Sequence, residues 1–134
     1  TKRVWECRRV MSVKGLGTDI VEISRIEEAL TSSNRLAQRV LTETEMQIFL
    51  QHRQPERYLA KRWAAKEAAA KAFGTGIGRG ISFQHFETQN NELGAPKLTL
   101  TGPALKMANE RGITSVLLSI SDETNYAMAV VVLS

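Results

Sequence analysis

PERYLAKRWAAKEAAAKAFGTGIGRG, Pro55 to Gly80, is the stretch on which the reading of this chain turns. No Gly or Pro interrupts it between Glu56 and Phe73, and seven alanines fall between Ala60 and Ala72. That composition predicts a long helix, with Pro55 suited to the first turn and Gly74 to a left-handed C-terminal stop. At ~1.5 Å per residue the helix spans roughly 25–30 Å, the width of a small domain. On a wheel of ~100° per residue, Leu59, Trp63, Ala69, Ala70 and Phe73 share one arc, and Arg62 and Lys66 fall inside it. Glu67 sits at its edge with Lys71 one turn on, and the remaining face is mostly alanine. A helix apolar nearly all round is a buried helix. Charges buried with it need partners, because an isolated buried charge is costly. Two readings stay open. Arg62 and Lys66 snorkel while Glu67 and Lys71 make an ordinary i,i+4 pair, or the cations serve an anionic ligand.

The glycine run GTGIGRG (Gly74 to Gly80) favours the second reading. Alternating glycines beyond a cationic helix let backbone approach a ligand closely and offer N–H groups to anionic oxygens. The run is no dinucleotide fingerprint, since it follows a helix, and it lacks the Gly-Lys-Ser/Thr ending of a P-loop. Alone it is equally well a helix cap and a loop.

The chain has 134 residues, 43% hydrophobic and 24% charged, which fits one domain with a modest core. No run of about 18 apolar residues indicates a membrane span. The single cysteine, Cys7, excludes an intramolecular disulfide framework and a cysteine zinc site, and a reducing, cytoplasmic setting fits best. Residues 1–10, TKRVWECRRV, read as a leader or extension ahead of Met11, with residues 11–134 forming the domain. The leader holds four basic residues and one acidic, so residues 11–134 carry 14 against 13 and the net charge of +4 falls to +1. A globally basic nucleic-acid binder is therefore poorly supported. From Arg25 to Arg79, however, ten basic residues face six acidic ones, which favours an anionic ligand or acidic partner.

SVKGLGTDIVEI (Ser12 to Ile23) reads as a strand in which Gly15 and Gly17 mark a bend or close backbone approach. Asp19 lies near its end, where its plain role would be to cap a helix starting near Val21. That helix carries Arg25 on its surface. A short helical piece, RLAQRVL, sets Arg35 and Arg39 one turn apart, where like charges repel. TETE (Thr42 to Glu45) predicts a capping box opening another helix. Beyond the glycines, ISFQHFETQ and KLTLTG read as strands, PALKMANERG as a helix, and SVLLSISD and YAMAVVVL as a hairpin joined by ETN. The order β-α-α-α-α-β-β-α-β-β makes an α+β fold with a mainly antiparallel sheet packed on the long helix. His52 and His85 are separated by that helix and give no support to a histidine metal site or a Ser-His-Asp triad.

GLGTDIVEISRI (Gly15 to Ile26) together with RYLAKRWAAKEAAAKAFGTGIG (Arg57 to Gly78) resembles the holo-acyl-carrier-protein synthase family of bacterial 4'-phosphopantetheinyl transferases. The likeness extends from Met11 to Ser134, through ELGAPKLTLTG and the terminal hairpin. It implies the transferase fold and transfer of 4'-phosphopantetheine from coenzyme A to a serine of apo-acyl carrier protein, with adenosine 3',5'-bisphosphate as second product, in support of fatty acid biosynthesis. The family pattern carries magnesium onto Asp19 and Glu67, and sets Lys71 at the pyrophosphate. Gly74, Thr75 and Gly76 would cradle the pyrophosphate, with Arg62 and Lys66 completing its cationic surroundings. The base for the serine proton is left between Glu67 and a water activated by the cation. Arg25, Arg35 and Arg39 are expected to meet the acidic carrier protein. The resemblance also implies a homotrimer with coenzyme A bound between subunits. Some family members have a His in the last hairpin where this chain has Asp122, to which no catalytic part is given. The rival reading, a non-enzymatic module binding RNA or a nucleotide through the basic helix from Arg53 to Lys71, has few aromatics and an acid, Glu67, amid its basic patch.

Overall fold

A computed structural model describes residues 12–134, and the expectation for a leader over residues 1–10 lies outside them. Strand β1 (Gly15–Glu22) is followed by helices α1 (Ile23–Ser32), α2 (Arg35–Val40), α3 (Glu43–Gln51) and α4 (Pro55–Ala72). A single 3-10 turn (Phe83–His85) leads into β2 (Phe86–Asn90) and β3 (Pro96–Leu100). Helix α5 (Gly102–Glu110) and the hairpin β4 (Val116–Asp122) and β5 (Tyr126–Leu133) close the order. The α+β expectation holds, with two antiparallel sheets: β1-β5-β4 and β2-β3.

Helix α4 is the centre of the molecule. Its alanines 60, 64, 65, 68, 69 and 70 are wholly buried, as an alanine face packed against backbone must be. Small side chains here allow close approach on two sides, and β1 uses it. A Cβ on Gly17 would lie 2.0 Å from the carbonyl oxygen of Ala68, so only glycine lets strand and helix touch at this point. Arg111 of the loop after α5 donates to the carbonyl of Phe73 at 2.7 Å and caps the C-terminal end of α4.

Period-two alternation sorts β1 cleanly. Gly17, Asp19 and Val21 turn toward α4, while Leu16 and Ile20 point outward, 62% and 65% exposed. The register places Val132 between Leu16 and Leu117 and sets Ile20 beside Met128, so the outer face of the sheet is largely apolar, with Thr18, Ser119 and Ser121 among these residues.

Two expected boundaries move. The first strand runs to Glu22, so Asp19 lies inside the strand and caps nothing. Of ISFQHFETQ only the second half is strand, because Ser82 and His85 form a capping box and wind Phe83–His85 into a 3-10 turn. The capping box read from TETE is present, with Thr42 and Glu45 exchanging both bonds.

Candidate active site

The inner face of β1 brings Asp19 against α4. Its Oδ1 accepts a hydrogen bond from Lys71 Nζ at 3.0 Å, while its Oδ2 is buried with no partner. Glu67 is one helical turn before Lys71, on the same side of α4. Its pKa is raised, first by burial and next by the negative charge of Asp19, against pulls downward from Lys71 and Arg39. Two carboxylates and an ammonium therefore share one half-buried patch. Lys71 pairs with Asp19 instead of forming the i,i+4 pair with Glu67 that the spacing alone suggested.

An acid pair in which the charge of Asp19 disfavours that of Glu67, with one Asp19 oxygen lacking a donor, fits a divalent cation. Magnesium takes one or two carboxylates and completes its shell with water and substrate phosphate oxygens. Asp19 and Glu67 match that donor set, and no cluster of three or more acidic, His or Cys ligands exists among the described residues.

The other expected contacts divide. Lys66 is fully buried and its Nζ donates to Glu45 Oε1 and to the carbonyl of Val40 at 2.7 Å. Glu45 is equally buried, and its second oxygen accepts from the backbone and hydroxyl of Thr88 at 2.7 and 2.9 Å. Lys66 is thus spent on an internal ion pair and does not line a pyrophosphate site within this chain. Its pKa is lowered by burial, with Glu45 pulling the other way.

Arg62 is buried to 6% exposure, stacks over Tyr58 at 4.4 Å, and has an Nε without a partner. It opens into a cleft of about 440 Å³, lined also by His52, Arg57, Lys61 and Asn90. Five residues separate it from Glu67, a rotation of about 140° on the helix, so the cleft faces away from the acid pair of the same chain.

The glycine loop is also corrected in part. Gly74, Thr75 and Gly76 donate their N–H groups to carbonyls of Lys71 and Ala70, so these three amides cap the helix and are not free for an anion. Gly74 has φ +80° and Gly76 φ +64°, and a Cβ at either would meet nothing within 4 Å. The loop needs glycine for its backbone conformation and leaves open space above it.

Arg25, Arg35 and Arg39 are all exposed on α1 and α2. Arg39 does more than sit on the surface. Its guanidinium lies 5.4 Å above the ring of Phe83, which packs on Trp63, and its charge reaches Glu67. Asp122 is held by Arg57 at 2.9 Å and by Lys61 at 3.7 Å, tying the last hairpin to the start of α4. The parts not foreseen are Glu45, Gln84, Arg57 and Lys61. Glu45 was visible as a capping residue, but nothing in TETE announces a partner 21 residues away.

An α+β chain that sets a strand aspartate against a helix glutamate and lysine offers the charged groups that phosphoryl-type transfer uses. The chain belongs to the 4'-phosphopantetheinyl transferase superfamily, whose profile matches residues 15–131. It is 58% identical over 123 residues to the holo-acyl-carrier-protein synthase of Alteromonas mediterranea, covering 92% of this chain and 98% of that one. The corresponding Escherichia coli O1:K1 protein is 53% identical over 124 residues, with 92% and 98% covered. Among solved structures, the Neisseria meningitidis holo-acyl-carrier-protein synthase superposes with a TM-score of 0.84 at 44% identity, covering 92% of this chain and 99% of that one. The Helicobacter pylori holo-acyl-carrier-protein synthase in complex with coenzyme A gives 0.77 at 32% identity, covering 89% and 99%.

Proposed function

We propose that this chain is a holo-acyl-carrier-protein synthase working in the cytoplasm, and that Asp19, Glu67 and Lys71 carry the transfer of 4'-phosphopantetheine from coenzyme A to a carrier serine. The observation behind the site is the meeting of Asp19 with Lys71 beside a Glu67 of raised pKa. The serine hydroxyl attacks the β-phosphorus of the coenzyme A pyrophosphate, the P–O bond to the α-phosphate breaks, and adenosine 3',5'-bisphosphate leaves. A magnesium ion held by Asp19 and Glu67 would neutralise charge on the pyrophosphate oxygens.

The chain's own groups account for the rest. Lys71 is half exposed and stands beside the acids, where its ammonium can follow charge onto the departing phosphate. Glu67 stands on the same side of α4 as Lys71, where its carboxylate is the candidate to take up the serine proton. The open surface over Gly74 and Gly76 lets the pyrophosphate lie flush on the end of α4.

The basic cleft of Arg57, Lys61 and Arg62 suits the 3'-phosphate of coenzyme A. Because it faces away from its own chain's acid pair, a neighbouring copy must bring the two together. The apolar outer sheet face, with Leu16, Ile20 and Leu117 each more than 60% exposed, gives such a copy its contact. The reading is a homotrimer with sites shared between chains.

The test is direct. Wild-type protein incubated with coenzyme A, magnesium and an apo-acyl carrier protein should add one phosphopantetheine mass to the carrier. An unmodified carrier at high enzyme concentration would reject the reading.

A further inference from the structure

Helix α2 is only six residues long, too short to be stable by itself, and it carries two arginines whose charges repel. Its order has to come from outside. The end of the helix shows how. The amide nitrogen of Gln84 donates to the carbonyls of Leu41 at 2.8 Å, Arg39 at 3.1 Å and Gln38 at 3.3 Å. The carbonyl between them, that of Val40, accepts from Lys66 Nζ. The carbonyl of Ala37 takes the backbone N–H of Leu41. The carbonyls of residues 38 to 41, which a helix C-terminus would leave to water, are thereby all satisfied.

Gln84 belongs to the 3-10 turn that also supplies Phe83. That one turn therefore provides both the amide that fixes the backbone of Arg39 and the ring beneath its guanidinium. Phe83 is itself fixed against Trp63 at 5.2 Å. Arg39 is held at backbone and head group, although its side chain is exposed.

We infer that Gln84 is a positioning residue for the carrier protein: by capping α2 it holds Arg39 in the orientation that meets an acidic partner beside Glu67. This rests on the reading of Arg39 as a carrier contact. An arginine pre-ordered in this way loses less rotamer freedom on docking, so affinity rises without any added contact. The side-chain hydrogen bonds of Gln84 go to Gln38, Arg39 and Leu41, none of them an acid of the site or a residue of the cleft, so coenzyme A has no reason to feel it.

The experiment compares Gln84→Met, which keeps length and removes the donor, and Gln84→Ala with wild type and Arg39→Ala. Carrier KM should rise roughly fivefold in both Gln84 variants, the effect of losing about one net hydrogen bond's worth of order. The kcat and the coenzyme A KM should stay within about twofold, and urea midpoints should confirm folding. In an Arg39→Ala background, Gln84→Met should add no further rise, since its effect runs through Arg39. A full additional rise there, or an equal rise in coenzyme A KM, would overturn the inference. So would an unchanged carrier KM in Gln84→Met beside a raised one in Arg39→Ala, which leaves the carrier reading intact. An unchanged KM in Arg39→Ala itself would remove that reading and the inference together.

Discussion

Lys66→Met tests what the burial of the central helix implies. In the folded chain Lys66 Nζ is bonded to Glu45 and to the Val40 carbonyl, with both ionic side chains fully buried. Removing one partner of a buried pair costs about 3–5 kcal/mol, because the other charge is stranded. Glu45 keeps three other donors, the N–H of Thr42 and the N–H and hydroxyl of Thr88. The loss should therefore sit at the low end, about 3 kcal/mol, a large part of the ~5–15 kcal/mol that holds a domain folded. Glu45→Met should cost more, about 4–5 kcal/mol, since it leaves the ammonium a single carbonyl and frees three donors. Lys66→Met combined with Glu45→Met should lose less than the sum of the two, because no charge is left unpaired. Urea unfolding at one fixed protein concentration gives the cycle, and coenzyme A KM measured alongside separates folding from binding. If Lys66→Met stays within about 1 kcal/mol of wild type and raises coenzyme A KM tenfold, the buried-pair account is wrong and Lys66 reaches the substrate.

Three further outcomes follow from the site. Lys71→Ala should lower kcat with little change in coenzyme A KM, as for a group acting in the transition state; a change confined to KM would make it a ground-state phosphate contact. Glu67 has a raised folded pKa, so its contribution to stability is present below about pH 4.3 and is lost as pH rises through the folded value. Glu67→Gln in chelator should therefore match wild type near pH 4 and melt higher at pH 8, and a pH-independent difference would contradict this. Arg25→Glu should raise carrier KM at least tenfold, about 1.4 kcal/mol, and leave coenzyme A KM alone. Equal losses toward both substrates would move Arg25 out of the docking surface.

The long helix and the antiparallel hairpins were legible because each has a local signature, whereas Asp19 read locally as a helix cap and was joined to Glu67 only by the family resemblance. Alanine density and the flanking Pro55 and Gly74 mark α4, and alternation marks β5. The close approach at Gly17 was legible for the same reason, since a glycine inside a strand marks that role. What the sequence hid was pairing at a distance. Lys66 on an apolar arc reads equally as a ligand contact or a buried ion, and the partner that decides it, Glu45, looks like a capping residue. The N–H groups of Gly74 to Gly76 looked available because the helix carbonyls that accept them are invisible to composition. Gln84 was read as part of a strand, since alternation in ISFQ is too short to distinguish a strand from a 3-10 turn.

The assignment of Asp19 bears most directly on the account, and intact-mass time courses of an apo-acyl carrier protein test it. With coenzyme A and magnesium, wild type should convert the carrier by one phosphopantetheine mass, while Asp19→Asn should be slower by orders of magnitude with an unfolding midpoint near wild type. Asn keeps the shape of Asp and removes the charge a hard cation requires. Conversion by Asp19→Asn at the wild-type rate and at limiting magnesium would contradict the placement of the active site.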